Sequence, residues 1–171
     1  KDIVILHSLK AEQQGIALLQ QIDEALPATI MGDPTRLLQV IVNLVSNAMK
    51  FTRQGEVKIV VDVLDKNDDE VQLKITVSDT GIGIPQHAQE SLFKAFTQAD
   101  GSTTRKFGGT GLGLAIVSQL VELIDGSLGV DSVEGEGSTF WFEVPLEDRE
   151  CDAPLEVPEP SRQIFSASGW L

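Results

Sequence analysis

The sequence predicts an α/β domain in which three helices cover a mostly antiparallel sheet, with one long loop between them. Three observations carry this. Residues 33–51 read as a strong amphipathic helix. Two runs with period-two alternation follow it as neighbours: Val57, Ile59, Val61 and Val63, then Val71, Leu73, Ile75 and Val77. A stretch from Gly81 to Gly113, rich in Gly, Ser, Thr and Gln, then separates these strands from a second apolar helix and a closing hairpin. So long a segment with little structure of its own is usually functional.

Residues 3–14 (IVILHSLKAEQQ) fit two descriptions. Their β-branched start suits a strand, while the spacing of Leu6, Leu9 and Ala11 suits a helix. Residues 16–23 read as a short strand closed by Pro27. The central helix opens with Asp33 as N-cap and Pro34 at its first position, and Leu37, Ile41, Leu44, Ala48 and Phe51 form its apolar stripe. KNDDE marks the turn between the alternating strands. Around QESLFKAF lies one short helix-like piece, and residues 112–124 form a further amphipathic helix. GSLGVDSV, EGEG and STFWFEVPL read as a hairpin. The domain is placed at residues 1–146, and residues 147–171, acidic and proline-rich, read as a linker or disordered tail.

Composition narrows the function. The formal net charge is −13, which argues against a basic nucleic-acid surface. An acidic chain that binds an anion does so locally, with backbone N–H groups and a few placed cations. Cys151 is the single cysteine, so an internal disulfide and a cysteine-based zinc cluster are excluded. No apolar run approaches the roughly 18 residues that span a bilayer. The chain opens at Lys1 without Met and is read as a piece of something longer.

Three polar constellations stand out. Asn43, Asn47 and Lys50, spaced i, i+4, i+7, share one helix face. Asparagine is a mediocre helix former, so the pair is either a solvated face or a set of neutral oxygens for a hard cation beside a lysine. Asp79 is in phase with Val71 to Val77 and faces inward, where a carboxylate must be paired. It is satisfied by the glycine turn that follows, or it awaits a ligand's donor such as an adenine amino group. The adjacent GIGIP (81–85) lets the chain turn tightly against a flat ligand. Finally, GGTGLGLA (108–115) packs glycines into a helix entrance, where free N–H groups and the helix dipole favour phosphate. Arg105 and Lys106 lie just upstream. The spacing is neither a P-loop nor GxGxxG, and the protein-kinase triplets are absent.

In sequence order, the two-asparagine helix, DTGIGIP, LFKAFTQAD and GGTGLGLAI resemble the N, G1, F and G2 boxes of the catalytic, ATP-binding domain of sensor histidine kinases. QADGSTTRKFGGTGLGLAI is most similar to the hybrid type. The resemblance covers residues 1–146. It implies the two-layer α/β sandwich (Bergerat fold) shared with type II topoisomerases and the heat-shock chaperone ATPase, with helices on one face and a mobile ATP lid. It also implies ATP and Mg²⁺ as cofactors. Asn47 is then the metal ligand, Asn43 supports metal and phosphates, and Lys50 contacts phosphate. Asp79 accepts from the adenine amino group, with a water assisting through Gly83 and Thr139, and Gly81 and Ile84 complete that pocket. Phe93 and Phe96 anchor the lid or wedge it against the domain that bears the phosphoacceptor, Arg105 approaches the γ-phosphate, and Gly109, Thr110, Gly111, Leu112, Gly113 and Leu114 form hinge and phosphate turn.

The activity implied is transfer of the γ-phosphoryl group to a histidine on separate dimerisation helices, absent here, in two-component signalling. Asn43 stands where related ATP-hydrolysing enzymes carry a glutamate base, and an amide takes no proton at neutral pH. Neither His7 nor His87 lies in the phosphoacceptor context. The implied partners are those dimerisation helices and a response-regulator receiver domain. Neither nucleic acid nor membrane is expected to contact this piece, which is expected to be cytoplasmic and monomeric, from a homodimeric parent that an inner-membrane anchor could hold. Two alternatives stay open: a nucleotide-responsive interaction module without phosphotransfer, and a serine kinase of the same superfamily.

Overall fold

The computed structural model describes residues 2–89, 92, 112–148 and 165–166. Helix α1 (Asp2–Gln14) decides the first ambiguous segment in favour of a helix. It stops at Gly15, whose φ of +67° lets its N–H reach Glu12 O at 3.1 Å. Glycine adopts this left-handed C-terminal position without a Cβ penalty. Strands β1 (Ile16–Ile22) and β2 (Thr29–Met31) follow, then α2 (Pro34–Phe51). Asp33 caps α2 as the sequence predicts, its carboxylate accepting from Arg36 N–H at 3.0 Å and pairing with the Arg36 guanidinium at 3.1 Å.

Strands β3 (Gly55–Lys66) and β4 (Glu70–Asp79) form the expected antiparallel pair. Their turn is an Asx turn, with Asn67 Oδ1 accepting from Asp69 N at 2.9 Å and Glu70 N at 2.8 Å. A helical turn occupies 86–89. Helix α3 (Leu112–Glu122) leads into the hairpin of β5 (Ser127–Val133) and β6 (Gly137–Asp148).

The sheet runs β1-β3-β4-β6-β2-β7, where β7 is Phe165–Ser166. Among the described residues only β1 and β3 run parallel, and the remaining pairings are antiparallel. The long β6 shares its second edge between β5 and β2, and this extends pairing through Glu147 and Asp148. The sheet therefore passes the boundary predicted at residue 146, because β2, too short to read from sequence, supplies a partner there. Residues 165–166 of the predicted tail also join that edge.

The core lies on one face of the sheet. Val71, Leu73, Ile75 and Val77 of β4 and Phe140, Phe142, Val144 and Leu146 of β6 meet Val40, Leu44, Val45 and Met49 of α2 and Val117 and Val121 of α3. The opposite face is half-buried and polar, with Lys74 3.2 Å from Glu143 and 4.3 Å from the Trp141 ring centroid. Two layers result, as period-two strands with one apolar face require.

Candidate functional site

The polar groups gather along α2 and at the end of β4. Asn43 and Asn47 are half-buried on α2. The Asn43 amide Nδ2 donates to Gln39 O at 3.0 Å, one turn back on its own helix. Its oxygen turns to the entrance of α3: a Cβ built on Gly113 would lie 3.9 Å from Asn43 Oδ1 and 3.8 Å from Asn47 Nδ2. Gly113 near the start of α3 and the paired asparagines, far apart in sequence, thus face each other across the packed α2–α3 pair. Lys50 is exposed, with Nζ 5.2 Å from the Phe51 ring centroid. Leu114 packs partly buried against the core.

Asp79 closes β4 on the core-facing side, as its phase predicts. Its Oδ1 accepts from Gly81 N–H at 2.8 Å. Burial pushes the carboxyl above the ordinary 3.8, and the N–H groups of Gly81 and Ser138 and the nearby Thr52 hydroxyl pull it partly back. Thr52, the C-cap of α2, donates its N–H to Ala48 O at 3.0 Å. Its hydroxyl is buried, the residue being 3% exposed, and no partner meets hydrogen-bond geometry.

The 81–85 turn is fastened to protein rather than shaped around an open face. A side chain on Gly81 would stand 2.5 Å from Phe51 O, and one on Gly83 (φ +66°) would collide with the Val133 carbonyl. Ile84 N donates to Ser132 Oγ at 2.8 Å, and Gln89 Nε2 donates to Ile84 O at 2.6 Å and Ser132 O at 2.8 Å. These glycines let the turn lie against α2 and the β5–β6 hairpin, and that contact holds Asp79 in place. Packing against protein is by itself enough to require glycine at both positions.

Thr139 does not reach Asp79. The β4–β6 register sets Thr139 opposite Ser78 and Ser138 opposite Asp79. Directly opposed residues share a face, so Ser138 lies with Asp79 and Thr139 points to the polar side. Ser138 is buried, and its hydroxyl meets Ser132 Oγ at 2.9 Å. The sequence reading missed Ser138 by one residue, and it missed Thr52, Ser132 and Gln89 because tertiary packing alone brings them in. Phe93, Phe96, Arg105, Gly109, Thr110 and Gly111 lie outside the described residues. His7 is buried in α1 with Nε2 3.2 Å from Ser46 Oγ, and His87 is exposed on the 86–89 turn.

A mixed sheet with helices on one face and these groups along its central helix is the architecture of an ATPase domain of the two-layer sandwich class. A family model described as "Histidine kinase-, DNA gyrase B-, and HSP90-like ATPase" matches residues 32–148, and the chain belongs to that family. "Sensor histidine kinase GacS" of Pseudomonas protegens is 41% identical over 160 residues, which cover 94% of this chain and 17% of that protein. "Signal transduction histidine-protein kinase BarA" of Escherichia coli is 42% identical over 165 residues, covering 96% and 18%. "Hybrid signal transduction histidine kinase K" of Dictyostelium discoideum is 42% identical over 147 residues, covering 81% and 12%. The chain spans less than a fifth of the length of these relatives. Full-length ShkA, crystallised with AMPPNP, matches with a TM-score of 0.71 at 35% identity, over 86% of this chain and 29% of that one. The nucleotide-free catalytic domain of histidine kinase ThkA matches with a TM-score of 0.67 at 29% identity, over 84% and 88%.

Proposed function

We propose that this chain binds Mg·ATP and, within a longer parent, delivers the γ-phosphoryl group to a histidine on separate dimerisation helices. The observation that carries the reading is the meeting of Gly113 with Asn43 and Asn47. Among the described residues a side chain at Gly113 would make only ordinary contacts, so these neighbours do not demand glycine at this helix entrance. A phosphate approaching the free N–H groups does. The Asp79 carboxylate suits the base end, because Gly81 engages Oδ1 and leaves acceptor capacity for an exocyclic amino group. From Asn43 to Thr52 is about 13 Å along α2, nine residues at a helical rise of 1.5 Å. That separates a phosphate end from a base end on one rigid element.

In this reading Asn47 offers its amide oxygen to Mg²⁺, with Asn43 beside it, and the cation supplies charge neutralisation on the phosphates when bound. Lys50 and Arg105 add positive charge. Asn43 cannot act as a base, and its amide is already engaged with Gln39 O, which favours transfer to a protein acceptor over hydrolysis. Asp79, Gly81, Gly83 and Ile84 hold the base side, and Phe96, Gly109, Thr110, Gly111, Leu112 and Leu114 form the lid and its hinge. The likeness to a protein named a hybrid kinase supports a longer parent with further kinase domains and a receiver domain; in this reading the fragment works in the cytoplasm, beside the dimerisation helices of a homodimeric parent that an inner-membrane anchor could hold. The test is to mix the chain with a dimerisation domain of a matching kinase and labelled ATP. Acid-labile phosphohistidine on the partner is expected, and no label on His7 or His87 of the chain alone. Nucleotide binding without transfer to any such partner would leave a binding module and overturn the kinase reading.

A further inference from the structure

Thr52 carries an unexplained cost. Its hydroxyl is among the buried side-chain polar atoms and lacks a partner, while its backbone N–H completes α2 without needing a hydroxyl at all. Such a group costs free energy in the folded protein, and valine would fill the same shape without that cost. The hydroxyl lies by Asp79, close enough to favour the charged carboxylate yet short of hydrogen-bond geometry. Around the same carboxylate, Gly81 N–H takes Oδ1 and Ser138, opposite in the sheet, contributes its N–H. Among the described residues, two donors near Asp79 are thus fixed by backbone and Thr52 brings a side chain.

We propose that Thr52 is a positioning residue for the base of the nucleotide: its hydroxyl donates to Asp79 in the bound state, orients the carboxylate and keeps its remaining lone pairs directed at a purine 6-amino group. The inference rests on the adenine-nucleotide reading of the site. In the free domain the buried hydroxyl already favours the charged Asp79 without reaching hydrogen-bond geometry, and the bond is completed when ligand closes the carboxylate from solvent. A site built to hydrogen-bond an amino group discriminates strongly against a base that lacks it. Thr52 therefore contributes to selectivity for a 6-amino purine over a 6-oxo purine, and not to phosphate affinity.

The test is calorimetric titration of the 171-residue chain, wild type, Thr52→Val and Thr52→Ser, with ADP and separately with inosine diphosphate, alongside thermal melting of each ligand-free form. T52V should lose roughly tenfold in ADP affinity, as for a hydrogen bond to a charged group, and little for inosine diphosphate. T52S should keep the wild-type preference, and T52V should melt no lower than wild type. ADP affinity unchanged in T52V, or an equal loss for both nucleotides, overturns the proposal. So does a T52V chain that fails to fold, because the hydroxyl would then be needed by the free domain. A wild-type chain that binds neither nucleotide fails earlier, at the adenine-nucleotide reading, and takes this inference with it.

Discussion

Gly83 and Gly113 are equivalent letters in two glycine-rich motifs, yet the structure separates them. Gly83 needs its left-handed φ and has a carbonyl where a Cβ would go. Gly83→Ala should cost at least about 1–3 kcal/mol, read from denaturant unfolding. Gly113 is not crowded by any described residue, and alanine is the better helix former by up to about 1 kcal/mol. Gly113→Ala should therefore leave stability equal or higher while weakening nucleotide binding, and a variant that binds as wild type would remove the phosphate argument. Asp79 gives a pH signature. Its folded-state carboxyl titrates above the ordinary 3.8, so between those two values the native state holds a proton that the unfolded chain has released. Its contribution to stability is full below the ordinary value and is lost as pH rises through the raised one. Asp79→Asn keeps an acceptor for Gly81 N–H and removes the buried charge. The ligand-free variant should be more stable than wild type at pH 7, with a flatter stability profile across the acidic range. Lower stability at pH 7 would contradict the burial argument.

At the scale of elements, α2 is the part on which both core and site depend. Leu44 is fully buried between sheet and α3, so Leu44→Ala should cost about 2–5 kcal/mol, whereas Asp33→Ala removes only a cap and should cost about 0.5–2 kcal/mol. Most elements were legible because each carries its own period: the Ile41–Leu44–Ala48 stripe, the alternation of β3 and β4, the STFWFEV run of β6. What was not legible is set by partners distant in sequence. β2 has three residues and no period of its own, and α1 begins with residues that suit a strand equally well. The same division runs through the site. Asn43, Asn47 and Asp79 announce themselves as polar residues on apolar phases. Ser138 and Thr139 are adjacent hydroxyl residues whose choice depends on β4–β6 register, which local sequence does not contain, and a one-residue slip turns the side chain to the other face.

At the scale of the molecule, a chain of net charge −13 holds an anion only where the fold concentrates donors. In the proposed reading the amides of α2 and the α3 entrance supply such donors for the phosphates, while Asp79 at the end of β4 supplies an acceptor for the base. No helix among the described residues is long and apolar enough to cross a membrane. In the proposed function one nucleotide bridges Asp79 and the Asn43–Asn47–Gly113 cluster. The most direct test of this claim is calorimetric titration of wild type, Asp79→Asn and Asn47→Ala with ADP and ATP, with and without Mg²⁺. Wild type should bind both nucleotides with Mg²⁺ strengthening the binding. D79N should abolish binding under either condition, and N47A should bind with no response to Mg²⁺. Unchanged affinity in D79N, or an intact Mg²⁺ response in N47A, would contradict the account.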